Sequence, residues 1–451
     1  MEVEQLRAAI RALMPAARKD LASLVAFRSV ADPAVEPRGE CLKAAERVAD
    51  LLREVGLADA ALHGTTDGYP AVIGHAPAPA GAPTVLLYAH YDVQPALSEA
   101  LWSSPPFQLT ERDGRWYGRG AADDKGNLVA HVTALRALGG TFPLGVTAIV
   151  EGTEEQGSGG LEAFVQAHPD LVRSDAILIA DVGDAEVGVP TLTTTLRGGA
   201  GVVVEVRALG SSLHSGMFGG AAPDALAALI AMLATLRDAE GNTTIRGLRG
   251  DRARWDGAPY PVERFRTDAT MLPGTQVLGS GTVADMLWAR PAVTVIGIDC
   301  PAVDGASPTI QATARAKLNL RVPPGMDARV AQDALAAHLE AVAPWGVHVA
   351  VERGDPFPPF RVPKAGPATA ALEAALRDAF GKEVVRIGEG GSIPLATTLH
   401  ETFPKAEIAL LGVEDPLCAM HAPNESVDPG EIERIALAEA IFFHRYAAAS
   451  R

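Results

Sequence analysis

Thr84-Val85-Leu86-Leu87-Tyr88-Ala89-His90-Tyr91-Asp92 is an apolar run of strand length that ends on an imidazole and a carboxylate. Two more such runs follow, residues 146–150 and 176–180, and helical patterns near 126–138 and 161–168 separate the three. Continuous apolar strands alternating with helices indicate a parallel, doubly wound sheet with both faces covered. Ligands of such sheets bind outside the strand C-termini. The residues just past each run are therefore the first candidates for chemistry.

Outward from this core the pattern changes and then returns. Two helical segments precede the first run, the earlier placing Leu6, Ile10, Leu13 and Ala17 at helical spacing as a surface helix does. From about Arg197 come a strand (202–206), an apolar helix (223–237), a long irregular stretch, strands near 293–296 and 313–320, a helix (327–342) and a strand (347–352). Two helices on one small sheet predict an inserted α+β domain of ferredoxin-like type. After the Pro-rich Asp355-Pro356-Phe357-Pro358-Pro359, helix and strand patterns resume: helices at 367–380, from Ser392 and at 429–446, strands at 384–387 and 408–411. The expectation is a discontinuous α/β catalytic domain, residues 1–196 and 355–451, whose doubly wound sheet is mostly parallel. The second domain, residues 197–354, is inserted into it. With 451 residues the chain exceeds the roughly 250–300 at which one core stops growing.

Composition excludes several classes. Hydrophobic residues at 48% and charged residues at 21% are those of a globular protein and far from a disordered one. Thirty-nine Lys and Arg against fifty-five Asp and Glu give a net charge of −16, which repels nucleic acid and anionic lipid. No eighteen apolar residues run together, so no membrane span is expected. Cys41, Cys300 and Cys418 are isolated from one another, which fits a reducing, cytoplasmic setting and neither a disulfide framework nor a thiolate zinc site.

The acids and imidazoles concentrate at the strand ends and in one late loop: His90 and Asp92, Asp123-Asp124, Glu154-Glu155, Asp181 and His421. A single carboxylate after a strand is usually a helix cap or loop acceptor. Recurrence at successive strand ends argues against that reading here. Imidazole with carboxylate suits zinc, manganese or cobalt better than magnesium. Two imidazoles with three or four carboxylates are too many for one open catalytic site and match two metals about 3.5–4 Å apart, leaving a Glu to activate water. Gly157, Gly159 and Gly160 lack the Lys-Ser/Thr of a phosphate loop, and Ser158 and Ser392 lack a GxSxG elbow, so nucleotide binding and a serine hydrolase are disfavoured. His131, His168, His338 and His444 fall in helical patterns and are expected to be surface or packing residues, and Cys418 is given no role.

These motifs, with Leu213-His214-Ser215-Gly216, Leu320-Arg321-Val322-Pro323, Gly390-Gly391-Ser392-Ile393-Pro394 and Met420-His421-Ala422-Pro423-Asn424-Glu425, resemble the M20 family of metallopeptidases, in its dipeptidase and carnosinase-like branch, over essentially the full chain. The resemblance implies a metal on His90 and Asp181, another on Glu155 and His421, and Asp123 bridging both. It implies that Asp92 orients His90, that Glu154 is the general base for a metal-bridged hydroxide, and that the peptide bond after Asp123 is cis. By the same resemblance His214, contributed by the partner subunit of a homodimer formed through the inserted domain, stabilises the oxyanion, while Arg321, Gly391 and Ser392 bind the substrate carboxylate. Asp at position 181 resembles the dipeptidase branch, where several relatives with other substrates carry Glu. The expected activity is hydrolysis of dipeptides or short peptides with two divalent ions, zinc first, manganese or cobalt as alternatives. An N-acyl-amino-acid amidohydrolase or a carboxypeptidase of the same family is the rival expectation, and a binding protein without catalysis the more distant one.

Overall fold

Every residue of the strands Gly145–Glu151 and Ala176–Ala180 is buried, which is why their sequences show unbroken apolar runs and no alternation. Thr84–His90 lies between these two and pairs in parallel with each. Glu407–Leu411 adds in parallel to the other side of Ala176–Ala180. The margins run the other way: Ala71–Ala76 is antiparallel to Gly145–Glu151, and Thr191–Leu196 is antiparallel to Glu407–Leu411. The computed structural model describes residues 2–248, 250, 252–363 and 365–449, which form two compact units.

The first unit comprises residues up to Thr194, Val362–Ile387 and Ile393 onward. Its helices Val3–Val25, Lys125–Ala137, Pro367–Phe380 and Pro429–Ala449 pack together, sharing one core with the sheet. The first helix buries Leu6, Ile10, Ala17, Leu21 and Leu24 along one stripe. The helix expected from Ser392 starts instead at Pro394, because proline suits the first helical position and Ile393 before it is extended.

The second unit comprises Thr195–Arg361 and Gly388–Ser392. Four antiparallel strands, Gly198–Arg207, Ala292–Asp299, Thr313–Val322 and His348–Arg353, stand in the sheet in the order second, third, first, fourth. Strand, helix, strand, strand, helix, strand is a ferredoxin-like succession. In Thr313–Val322 the residues Ala314, Ala316, Leu318, Leu320 and Val322 are buried with Ala225–Ala234 and Ala328–Ala341, whereas Thr313, Arg315 and Lys317 are exposed. The apolar helix, Ala225–Ala234, starts later than expected because the side chain of Asp224 caps it by accepting from the Leu226 N–H. The long irregular stretch contains a helix, Val262–Asp268, and a π-helical turn, Asp285–Ala289, that periodicity did not reveal.

Candidate metal centre

Three strand ends, a helix start and a loop converge. His90 closes Thr84–His90, Asp181 follows Ala176–Ala180, and a 3₁₀ turn, Glu154–Gln156, lies just past Gly145–Glu151. Asp123 precedes the helix Lys125–Ala137, and its peptide bond to Asp124 is cis, as the resemblance implied. His421 stands on a loop in which Ala419, His421 and Asn424 all have left-handed backbone, a conformation that needs outside support in residues other than glycine. Asn424 supplies some of it, accepting from the Ser103 N–H and donating to the Leu101 carbonyl.

The two oxygens of Asp123 face two different imidazoles, His90 Nε2 at 2.9 Å from Oδ1 and His421 Nε2 at 2.9 Å from Oδ2. Asp181 Oδ1 is 3.5 Å from that nitrogen of His90, and Glu155 Oε2 is 3.4 Å from that of His421. Ligand atoms thus gather in two groups that include an imidazole, His90 with Glu154 and Asp181, and Asp123 with Glu155 and His421, beside a third made of carboxylates alone, Asp124, Asp181 and Glu414. Buried His90 Nε2 makes no hydrogen bond, so its lone pair is left to a cation. Imidazole nitrogens and carboxylates are the donor set that divalent transition metals favour, and the residues fit such ions.

A shell of buried acceptors and donors holds these groups. Asp92 accepts from the backbone N–H of Glu154 and of Glu155, and its Oδ1 lies 3.3 Å from His90 Nδ1, which is also 3.0 Å from the Asp92 carbonyl. Gln94 donates to Glu155 twice, from its backbone N–H and its amide. Asp124 accepts from the His90 N–H, and the Asn127 amide joins Asp124 to Glu414. Glu425 accepts from the N–H groups of Gly120, Ala122 and Asp123 and from Arg119 at 2.6 Å. Gln94, Asp124, Asn127, Arg119 and Glu414 carried no assigned role in the sequence reading. All but Glu414 lay inside or beside motifs quoted for other residues, the only signal they offered.

Proton affinities follow from this crowding. Burial, then the charge of Asp181, pushes the Glu154 carboxyl well above the usual range. Burial and the neighbouring Asp123 push Glu155 up to about 8, and burial raises Asp181 to about 6. Burial would raise Asp123 as well, but the hydrogen bond from His421 and the adjacent imidazole of His90 outweigh it and hold that carboxyl low. His421 is raised to about 8, first by its hydrogen bond to Asp123.

In the second unit, Arg321 Nη1 lies 3.4 Å from Ser392 Oγ, so these two expected carboxylate binders are neighbours. Gly391 sits beside Ser392 in the same unit. His214 is exposed in the short strand Leu213–His214, where its Nδ1 accepts from the Gly216 N–H at 3.1 Å.

Known proteins resemble this chain in sequence and in fold. The chain is 46% identical over 411 residues to the cysteinylglycine-S-conjugate dipeptidase of Corynebacterium striatum, covering 90% of each. The structure of human carnosine dipeptidase 1 superposes with a TM-score of 0.83 at 26% identity, and that of the di-peptidase Dug1p from Saccharomyces cerevisiae with 0.85 at 23%, each match covering 99% of both chains. Among the described residues no helix is long and apolar enough to cross a membrane. Residues 86–443, a span that includes every residue of the two ligand groups, match the family model for peptidases, and the chain belongs to peptidase family M20/M25/M40.

Proposed function

We propose that the chain is a dipeptidase for substrates with a free C-terminal carboxylate, with cysteinylglycine and its S-substituted forms as the leading class. The observation that carries this reading is the Asp123 carboxylate shared between His90 and His421, each imidazole with its own second acid. The 46% identity to a cysteinylglycine-S-conjugate dipeptidase supports the substrate class. It also disfavours an N-acyl-amino-acid amidohydrolase or a carboxypeptidase.

His90 and Asp181 would hold one divalent ion, Glu155 and His421 another, and Asp123 would touch both, with zinc the first expectation and manganese or cobalt accepted by the same donors. Such ions, when bound, supply Lewis acidity that polarises a carbonyl oxygen and acidifies water. Glu154 takes up a proton at its carboxyl and returns it to the leaving amine. Asp92 fixes the tautomer of His90 and holds the Glu154–Gln156 turn by the two backbone N–H groups it accepts. Arg321, Gly391 and Ser392 receive the substrate carboxylate, and His214 stabilises the oxyanion from the partner subunit of a cytoplasmic homodimer. In this reading residues 1–196 and 355–451 are the catalytic domain, and 197–354 the lid and dimerisation domain.

The test compares cysteinylglycine with N-acetyl-cysteinylglycine on protein loaded separately with zinc and with manganese. Faster release of glycine from the free-amine substrate, abolished by chelator, is expected; faster loss of the acetyl group would place the chain among the deacylases. Glu154→Gln should retain its metal by elemental analysis while turnover falls by ~10² or more. Verified heterodimers of a metal-ligand variant with His214→Ala should recover activity if His214 acts across subunits, and should stay inactive if it does not.

A further inference from the structure

Arg197 is 8% exposed, yet among the described residues its Nε and Nη1 have no hydrogen-bond partner. Arginine is seldom this buried unless paired, because an uncompensated charge taken from water is costly. Its neighbour by charge is another cation. Burial first, then Arg321, brings the Arg197 guanidinium down to about 10. Among the described residues Arg321 hydrogen-bonds Ser392 Oγ, which in turn donates to the Arg197 carbonyl. Glu389 acts on both arginines by its charge, but among the described residues it hydrogen-bonds neither, and its Oε1 accepts from the Gly390 N–H at 2.8 Å. Gly390 makes room for the side chain: a Cβ there would lie 3.0 Å from Arg197 Nη2. Arg197, Arg321 and Gly388–Ser392 all belong to the second unit, so this grouping is internal to it.

Two guanidinium groups close enough to feel each other's charge, one of them buried with Nε and Nη1 unpartnered among the described residues, offer donors and positive charge to an anion. We propose that Arg197 is a second arginine for the substrate's C-terminal carboxylate, sharing that anion with Arg321 and setting the enzyme's preference for a free acid over an amide. The proposal rests on the reading that Arg321 receives this carboxylate. A carboxylate relieves the repulsion between the two cations and satisfies buried N–H donors, whereas an uncharged amide offers one carbonyl oxygen and no charge.

The experiment uses the metal-loaded full chain and its Arg197→Met, Arg197→Lys and Arg321→Met variants, with cysteinylglycine and cysteinylglycinamide as paired substrates. Arg197→Met is expected to raise KM for the acid by ~10- to 100-fold, the scale of a lost charge-assisted hydrogen bond, with kcat nearly unchanged and the amide little affected. Arg197→Lys should recover part of the loss. Thermal unfolding adds a readout free of turnover. N-acetylglycine should stabilise the wild type and not Arg197→Met, and N-acetylglycinamide should stabilise neither. Without ligand, Arg197→Met should melt no lower than the wild type, since it removes an unpaired buried charge. Equal losses on acid and amide, or a lower melting temperature of the ligand-free variant, would make Arg197 a structural residue and overturn the proposal. If Arg197→Met keeps the acid preference and Arg321→Met loses it, the proposal fails and the Arg321 reading stands; if Arg321→Met keeps it, the Arg321 reading fails and the shared carboxylate with it.

Discussion

Asp92 shows how much one buried carboxylate organises. It is fully buried, accepts from the N–H groups of Glu154 and Glu155, and faces Nδ1 of His90. Removing it frees both the turn and the imidazole, so Asp92→Ala should lose ~10- to 100-fold in metal affinity or activity, as removal of such outer partners usually does. Titration with zinc, followed by competition with a chelator, measures it; unchanged affinity and turnover would refute the role. Glu151 makes a different demand. Its Oε2 accepts from Tyr88 and Ser158, its Oε1 is unpartnered, and burial, then the charge of Asp92, raises its carboxyl to about 8 from 4.5. The folded protein therefore keeps a proton that the unfolded chain loses. Metal-free stability should fall as pH rises from about 4.5 to about 8 through this group and level off above. Urea unfolding at several pH values should show a flatter profile for Glu151→Gln; an unaltered slope would remove Glu151 as its source. The thiols divide by burial as well. Cys41 and Cys418 are buried, with thiols pushed up to about 12 by burial, while Cys300 is exposed. Iodoacetamide followed by mass spectrometry should label Cys300 fast and the other two only on unfolding. At this scale the proposed metal ligands were legible because each follows an apolar run or sits in a dense motif. Gln94 and Arg197 were not, because a polar side chain in sequence does not say what it faces.

Among elements, the turn bearing Glu154 and Glu155 is fastened from both ends. Thr153 Oγ1 donates to Asp67 Oδ2 at 2.8 Å, and Ser158, in left-handed backbone, donates to Glu151. The helix Gly159–Ala167 starts so close that a Cβ on Gly160 would lie 1.8 Å from Asp67 Oδ2. Asp67 cannot swing away without giving up its bonds from Thr65, Tyr69 and Thr153. Gly160→Ala should therefore cost about 1–3 kcal/mol by overpacking and lower kcat by shifting the turn. Denaturant melts with parallel kinetics test this, and a variant with wild-type stability and turnover would show that the contact yields freely. The helices Lys125–Ala137 and Pro429–Ala449 are joined by buried His131 and Glu439, 2.8 Å apart. His131 had been expected at the surface or in packing, and the structure makes it a core ion-pair partner. Helix and strand centres were legible because periodicity is local. The antiparallel sheet margins were not, since pairing direction depends on which distant strand lies alongside.

Over the whole molecule, negative charge gathers where the metals are expected. Asp123, Glu154, Glu155 and Asp181 stand in two ligand groups, whose His90 and Asp123 are 2.9 Å apart, in a chain whose net charge is −16. Cations bound to the folded state alone stabilise it by mass action. Chelation should lower Tm, and added zinc should raise it in a concentration-dependent way; a Tm indifferent to both would mean that the cluster binds no ion. What the sequence by itself determined is the alternation of apolar runs and helices, and the supply of imidazole and carboxylate at the ends of those runs, because both follow from the pattern of neighbouring residues. Only the tertiary structure decided which groups meet. His421 reaches Asp123 across 298 positions of chain, Glu425 holds the Asp123 N–H across 302, and Arg197 Nε and Nη1 are left without a partner among the described residues although the chain contains fifty-five acids. Such pairings are set by the packing of the sheet and its loops, and burial then gives each its energy by removing the water that would otherwise satisfy every polar group alike.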